Sequence, residues 1–96
     1  MQAISTNQVM RKIILEKHAV DDFEFWATTD LKLLKKIAEL LLAIHKDPFH
    51  GIGKPEALKG DLKGYWSRRV NDEHRIVYTV TNDSIIVISC RSHYKI

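Results

Sequence analysis

The sequence predicts a single α+β domain with a short N-terminal strand, followed by two helices that pack on one face of an antiparallel sheet. Three observations lead to this prediction. The chain has 96 residues, 45% of them hydrophobic, which is enough for one modest core. Apolar residues recur at helical spacing in the first half of the chain. Strand-like segments separated by short turns dominate the last third.

The first half contains one predicted strand and two predicted helices. The β-branched stretch RKIILE at residues 11–16 is typical of a strand. A helix over residues 17–27 follows from the spacing of four apolar residues, although a favourable N-cap is missing there: Ala19, Val20, Phe23 and Trp26.

The second helix is the clearest element of the sequence. Six apolar residues form one stripe with lysines and a glutamate opposite, an arrangement typical of a helix with one solvated face: Leu33, Leu34, Ile37, Leu40, Leu41 and Ile44. Thr29 or Asp30 can cap its start, and Pro48 ends it.

The second half reads as a loop and three strands. Prolines and glycines mark residues 47–56 as a loop. Strands are predicted over residues 64–70, 74–80 and 84–91, and the short NDE and TND turns between them favour antiparallel hairpins. In the first of these strands, alternation places Tyr65, Ser67 and Arg69 on one side, and Trp66, Arg68 and Val70 on the other.

Composition narrows the possible functions. The formal charge of +3 and the pI of about 9.1 favour, weakly, nucleic acid or an acidic protein as a partner. The single cysteine, Cys90, allows no intrachain disulfide, fits a reducing cytosol, and is expected to be a small buried residue. No membrane span or secretory signal is recognised, and residues 1–10 are expected to form a flexible leader before a domain at residues 11–96. No HExxH, CxxC or acidic cluster predicts a metal or another cofactor.

Several polar residues are left unexplained by the core pattern: Glu56, Lys59, Arg68, Arg69, Arg75, His93 and Tyr94. Each has a structural alternative, such as an ion pair of Arg75 with Asp72 or Glu73. Together, a carboxylate, an arginine and an imidazole suffice to cleave RNA with its own 2′-OH as the nucleophile. The carboxylate removes the hydroxyl proton, the imidazole protonates the departing oxygen, and the arginine stabilises the phosphate charge.

A family resemblance joins these residues. The segment KPEALKGDLKGYWSRRVNDEHRIVYTV, followed by CRSHY, resembles the YoeB toxins of YoeB–YefM toxin–antitoxin systems, within the RelE/ParE superfamily. The motifs DDFEFW and DPFHGIGKPE add to a likeness that spans residues 12–94. The resemblance implies a RelE-like microbial ribonuclease fold. It also implies a cytoplasmic, ribosome-dependent endoribonuclease that cleaves mRNA in the A site and inhibits translation.

The resemblance also assigns roles and partners. By position, Glu56 matches the general base, His93 the general acid and Arg75 the phosphate-binding cation, while Tyr94 matches a residue that stacks on or orients a nucleotide. Two further matches, Lys59 and Arg69, lie near RNA in the family. The implied partners are a YefM-like antitoxin, the 70S ribosome with its mRNA and a second copy of the chain, with no cofactor and no membrane. The sequence departs from the family pattern in two places. Lys95 and Ile96 follow the tyrosine at which the family typically ends, and the leader at residues 1–10 precedes the region of likeness.

Two alternatives stay open. The first alternative to the nuclease is a non-catalytic toxin like those of the ParE branch. The second is an interaction module whose basic face binds an acidic protein. A ParE-like chain has no need for the set Glu56, Arg75, His93 and Tyr94, so their joint presence favours the nuclease. The nuclease hypothesis requires that Glu56, Arg75 and His93 converge on one hollow.

Overall fold

The computed structural model describes residues 10–91. Residues 1–9 of the predicted leader, and the candidate residues His93 and Tyr94, lie outside the described residues. The elements are, in chain order, β1 (Lys12–Leu15), α1 (Lys17–Thr29), α2 (Leu31–Lys46), β2 (Glu56–Ala57), a 3₁₀ turn (Gly60–Leu62), β3 (Tyr65–Arg69), β4 (Arg75–Val80) and β5 (Ser84–Ser89).

The five strands form one mixed sheet in the order β1-β5-β4-β3-β2. Strands β3, β4 and β5 pair antiparallel, as predicted, and β2, which was not predicted, pairs antiparallel with β3. The N-terminal strand β1 runs parallel to β5. The antiparallel sheet was predicted from the three C-terminal strands and no direction was predicted for β1, whose parallel pairing makes the sheet mixed. No hairpin turn joins β1 to its neighbour, because both helices and three other strands lie between them in the chain, so local turn geometry does not set its direction.

A second difference concerns the segment predicted as a loop at residues 47–56. Its last residue, Glu56, begins the two-residue strand β2, which pairs with β3 at the edge of the sheet. Two residues are too few to show the alternation by which a strand is recognised in a sequence. This edge strand matters because it carries one of the candidate residues.

The helices begin and end close to the predicted residues. Asp30 caps α2, since its carboxylate accepts a hydrogen bond from the Leu33 backbone N–H at 3.1 Å, whereas Glu16 gives α1 no side-chain cap. Val20 was expected on the apolar face of α1 but is 46% exposed. Neither helix of residues 10–91 is long and apolar enough to cross a membrane.

The core lies between the two helices and one face of the sheet. The apolar stripe of α2 contributes three fully buried residues, as the sequence predicted: Ile37, Leu40 and Ile44. The sheet contributes Ile76 and Tyr78 from β4, and Ile85 and Val87 from β5. Both helices therefore cover the same face, and the opposite face of the sheet is left for other contacts.

A buried arginine ties the loop after α2 to this core. Arg68 projects from β3 toward the helices and is fully buried. Its guanidinium donates to three loop carbonyl oxygens at 2.6 to 3.1 Å, those of Asp47, His50 and Ile52. Its Nε donates to the Tyr78 hydroxyl at 3.2 Å, which donates in turn to the Pro48 carbonyl at 2.7 Å. The cation also lies at the C-terminal end of α2, where the helix dipole is negative. We call Arg68, Tyr78 and these carbonyls the loop clamp.

Candidate active site

The open face of the sheet carries a row of polar side chains. Glu56 pairs with Ser67 across β2 and β3, and Arg69 pairs with Arg75 across β3 and β4. Directly paired residues project to the same face, and residues two apart in a strand do so as well. Since Arg68 faces the helices, its neighbours Ser67 and Arg69 face away from them. All four residues therefore share the face of the sheet that neither α1 nor α2 covers.

Glu56 and Arg75 are in contact on this face. Arg75 Nη1 lies 3.5 Å from Glu56 Oε1 and donates to Ser67 Oγ at 3.1 Å. The carboxylate side chain is 62% exposed and the arginine side chain 31% exposed, so the pair adds at most ~1 kcal/mol to stability. A long, exposed ion pair is easily opened by a ligand. The buried Ser67 holds the arginine in place independently of the carboxylate.

The alternative ion pair of Arg75 with Asp72 or Glu73 is not the contact that Arg75 makes. Arg75 crosses to Glu56, and it is Arg69 that binds Asp72, with 2.6 Å between Nη2 and Oδ1. Asp72 is fully exposed, whereas the Arg69 side chain is 35% exposed. Arg69 thus reaches the open face with one nitrogen already occupied by an exposed carboxylate.

A groove of about 410 Å³ on this face is lined by Glu56, Arg69 and Arg75, together with Lys54 and Pro55. We call it the cationic groove, since three cations, Lys54, Arg69 and Arg75, surround the single carboxylate of Glu56. Its volume lies in the range of small-ligand sites, ~300–1,000 Å³. Arginine side chains bind phosphate through paired N–H donors, so a phosphate group is the chemistry that this lining favours.

The loop before β2 gives Glu56 its position. Gly53 has φ +85°, and its carbonyl accepts a hydrogen bond from the Arg69 backbone N–H at 2.6 Å. A Cβ at this residue would lie 2.9 Å from Leu40 Cδ2 and 3.2 Å from the Arg69 carbonyl oxygen, so only glycine fits without displacement. The loop clamp holds residues 47–52 just before it. The backbone therefore enters β2 along a fixed path.

The other candidate residues from the sequence are Lys59, His93 and Tyr94. Lys59 is exposed, lies just before the 3₁₀ turn and does not line the cationic groove. His93 and Tyr94 lie outside the described residues. The register pairs Ser89 of β5 with Val77, two residues along β4 from Arg75. The chain therefore leaves β5 at the end of the sheet that carries Arg75.

Two residues in or beside the groove, Ser67 and Lys54, were not assigned by the sequence, and a third residue, Arg68, lies elsewhere. Ser67 holds Arg75, and it was recognisable from the alternation that places it on the side of Arg69. Lys54 lines the groove from a loop, where no periodic signal exists. Arg68 was grouped with the unexplained polar residues, yet it is buried away from the groove. Nothing in the pair Arg68–Arg69 itself distinguishes the buried arginine from the exposed one.

The chemistry of Cys90 agrees with the expected buried residue. Cys90 is fully buried, and burial, with a smaller contribution from the charge of Asp22, raises the pKa of its thiol to about 12. The thiol is protonated at neutral pH and is a poor nucleophile. Within residues 10–91, no three His, Cys, Asp or Glu side chains are grouped closely enough to hold a metal ion.

Sequence comparison relates the chain to known toxins. A family model described as the YoeB-like toxin of bacterial type II toxin–antitoxin systems matches residues 15–94. Toxin YoeB of Streptomyces coelicolor is 48% identical over 83 residues, covering 86% of this chain and 99% of that toxin. Toxin YoeB of Synechocystis sp. is 51% identical over 84 residues, covering 88% and 98%. The match includes every candidate residue from Glu56 to Tyr94.

Solved structures give the same relationship. A YoeB/ParE toxin from Agrobacterium tumefaciens superposes with a TM-score of 0.84 at 47% identity, covering 86% of this chain and 99% of that one. YoeB from Staphylococcus aureus, solved as a dimer, has a TM-score of 0.82 at 45% identity, with coverages of 90% and 100%. A heterotetrameric YoeB–YefM toxin–antitoxin complex from Staphylococcus aureus gives a TM-score of 0.80 at 46% identity, with coverages of 88% and 98%.

Proposed function

The chain belongs to the family of YoeB-like toxins of bacterial type II toxin–antitoxin systems, and we propose that it is a ribosome-dependent endoribonuclease. It cleaves mRNA in the ribosomal A site in the cytoplasm and so inhibits translation. The observation that supports this proposal best is the contact between Glu56 and Arg75 inside the cationic groove. A general base next to a phosphate-binding cation is what cleavage by the RNA 2′-OH requires.

The reaction follows from these residues. Glu56 removes the proton of the 2′-OH, and the 2′-oxygen attacks the adjacent phosphorus. The bond from phosphorus to the 5′-oxygen breaks, and His93 donates a proton to that oxygen. The products are a 2′,3′-cyclic phosphate and a free 5′-OH, and no water is consumed. Arg75 stabilises the negative charge that gathers on the phosphate oxygens, and Tyr94 stacks on a neighbouring base.

The geometry of Arg75 supports its role. Its Nη1 is shared between Ser67 Oγ at 3.1 Å and Glu56 Oε1 at 3.5 Å. When a phosphate enters, the weaker contact with the carboxylate opens and the one with the buried serine is kept. Arg75 then stays directed into the groove, and Glu56 is released to accept the hydroxyl proton. Arg69 and Lys59 bind the backbone of the mRNA on either side.

The same groove explains how the toxin is held inactive. We propose that a YefM-like antitoxin places an acidic segment over Arg69 and Arg75, where it competes with RNA phosphate. The YoeB–YefM complex of Staphylococcus aureus supports such a partner. A YoeB dimer from Staphylococcus aureus supports a second copy of the chain as a further partner. The charge of the groove lining, three cations and one carboxylate, suits an acidic ligand.

In vitro cleavage of a defined mRNA on ribosomes with a vacant A site tests the proposal. The toxin, freed from its antitoxin, is expected to cut the mRNA on programmed ribosomes, and primer extension maps the cut. Glu56→Gln lowers the single-turnover rate constant by ~10²–10⁴, the usual contribution of a general base. Glu39→Gln is the matched control, because this glutamate is exposed on α2 away from the groove.

His93→Gln extends the experiment to the acid. It is expected to lower the rate constant at least as much as a lost general acid does, ~10²-fold. If the wild type leaves mRNA intact on every ribosome tested, the nuclease proposal fails and a non-catalytic toxin is favoured. If Glu56→Gln cleaves as fast as Glu39→Gln, the assignment of the base is wrong.

A further inference from the structure

The end of β5 is attached to helix α1 by three side chains of the DDFEFW motif. The Asp22 carboxylate accepts a hydrogen bond from the Cys90 backbone N–H at 3.0 Å. The Trp26 indole N–H donates to the Cys90 carbonyl oxygen at 3.0 Å. The guanidinium of Arg91 lies 3.5 Å from the centroid of the Phe25 ring. Both backbone polar groups of one residue are thus bound by side chains more than 60 positions away in the chain.

These contacts are more than core packing. Asp22 and Trp26 are only 4% and 6% exposed. Burying a carboxylate costs free energy unless hydrogen bonds compensate it, and an apolar residue at position 22 would fill the same space without that cost. Such a residue would leave the Cys90 N–H unsatisfied. The polar side chains therefore serve to fix the backbone of Cys90.

The attachment lies close to His93 along the chain. His93 follows Arg91 by two residues, so their Cα atoms are at most ~7 Å apart. The chain leaves β5 at the end of the sheet that carries Arg75, as the pairing of Ser89 with Val77 shows. A displacement or rotation of Cys90 would thus move the backbone from which the chain continues to His93, the proposed general acid.

We propose that Asp22, Phe25 and Trp26 are positioning residues for the general acid His93, acting through Cys90 and Arg91. This inference rests on the proposed nuclease function. The proposal gives the DDFEFW motif a role in the reaction, because helix α1 then determines the position of the general acid relative to the scissile phosphate. Small errors in the placement of a reacting group reduce rates strongly, with ~10²-fold for about 1 Å.

Two substitutions test the inference with limited risk to folding. Trp26→Phe keeps an aromatic ring in the core and removes the N–H donor. It is expected to lower the single-turnover rate constant ~10–100-fold, with the half-saturating ribosome concentration unchanged. Phe25→Leu removes the ring under Arg91 and is expected to lower the rate less. Phe23→Leu is its matched control, because Phe23 is, like Phe25, a partly buried residue of α1 that packs against the core. The guanidinium of Arg91 lies over the ring of Phe25 and not over that of Phe23.

A double-mutant cycle separates positioning from a general loss of structure. If Trp26 acts through His93, Trp26→Phe has no further effect on the residual rate of His93→Gln. In the Glu56→Gln background it keeps its full effect, because the acid still operates there. Equal reductions in both backgrounds would show a merely structural role. A wild-type rate for Trp26→Phe would overturn the inference and leave the nuclease proposal intact.

NMR provides a readout that needs no cleavage. In the free toxin, the ¹⁵N heteronuclear NOE of the Cys90 and Arg91 amides is expected to match that of β5. Phe25→Leu lowers the value for Arg91, and Phe23→Leu leaves it unchanged. Unchanged values in Phe25→Leu and Trp26→Phe would show that α1 does not hold this backbone. Absence of any wild-type cleavage would instead reject the proposed function, and the role of His93 with it.

Discussion

Tyr78→Phe removes a single oxygen atom from the loop clamp. That hydroxyl donates to the Pro48 carbonyl at 2.7 Å and accepts from Arg68 Nε at 3.2 Å, in a residue with no exposed surface. Without it, a carbonyl oxygen and a charged N–H donor lose their partner in the interior. An unsatisfied buried group costs ~1–3 kcal/mol, so we expect a loss of ~2–3 kcal/mol after partial relaxation. A domain of this size is stable by only ~5–14 kcal/mol, at ~0.05–0.15 kcal/mol per residue.

Urea unfolding of the isolated toxin measures this loss. The midpoint is expected to fall while the m-value stays constant, because the surface exposed on unfolding is the same. In thermal melts the midpoint falls by ~10–20 °C, at ~4–8 °C per kcal/mol for a small domain. Tyr65→Phe is the matched control. Its phenol is partly exposed on β3 and forms no hydrogen bond to residues 10–91, so the expected change is within ~0.5 kcal/mol.

Alkaline pH supplies a second signature of the same hydroxyl. Burial raises the pKa of Tyr78, although the hydrogen bond and charge of Arg68 partly oppose this shift. A raised folded pKa means that the neutral phenol is favoured in the folded state. Its contribution is fully present below the unfolded value of ~10 and is lost as the pH rises through the folded value. The gap in stability between wild type and Tyr78→Phe is therefore expected to narrow above pH ~10. A midpoint for Tyr78→Phe equal to that of Tyr65→Phe would refute the reasoning.

Three further outcomes follow from the same geometry. In urea unfolding, Gly53→Ala is expected to destabilise the domain more than Gly64→Ala. Both glycines have positive φ, but a Cβ at residue 53 would meet Leu40, whereas a Cβ at residue 64 would have no atom within 4 Å. Equal losses would show that backbone strain alone matters. Cys90 is expected to react slowly with iodoacetamide at pH 8 in the native toxin and quickly in urea, since its pKa of about 12 keeps the thiol protonated; fast native labelling would contradict this. Arg75→Lys is expected to lower the cleavage rate constant at least tenfold at unchanged stability, because lysine cannot bind phosphate and serine through a planar fork; a wild-type rate would remove the arginine from the reaction.

The sequence predicted the helices well because their signals are long and repeated. Six apolar residues define the apolar stripe of α2, three of them are fully buried, and Asp30 caps the helix as expected. The strands β3, β4 and β5 were recognised for the same reason, since alternation or a continuous apolar run extends over five or six residues in each. Their short turns also gave the correct antiparallel pairing.

The direction of β1 and the existence of β2 were not predictable in this way. β1 pairs in parallel with a strand about 70 residues later, and no local residue records that choice. β2 has two residues, so it has no pattern of its own. Its residue Glu56 was singled out as a polar residue that the core pattern does not explain, and its role as the base came from the family resemblance. The structure brings Glu56 within 3.5 Å of Arg75, a contact between residues that lie 19 positions apart.

Strand β3 connects the two faces of the sheet: a side chain on its helix-facing side helps to position the residues that line the groove on the other side. With only two paired residues, β2 cannot hold Glu56 in place by its own ladder. The path of the chain into β2 is set by the loop clamp and by the hydrogen bond of 2.6 Å from the Arg69 N–H to the Gly53 carbonyl. Arg68 anchors the loop from one face of β3, while Arg69 lines the groove on the other. The position of the Glu56 carboxylate therefore depends on a buried arginine that does not line the groove, so loosening the clamp is expected to displace the proposed base as well as to weaken the fold.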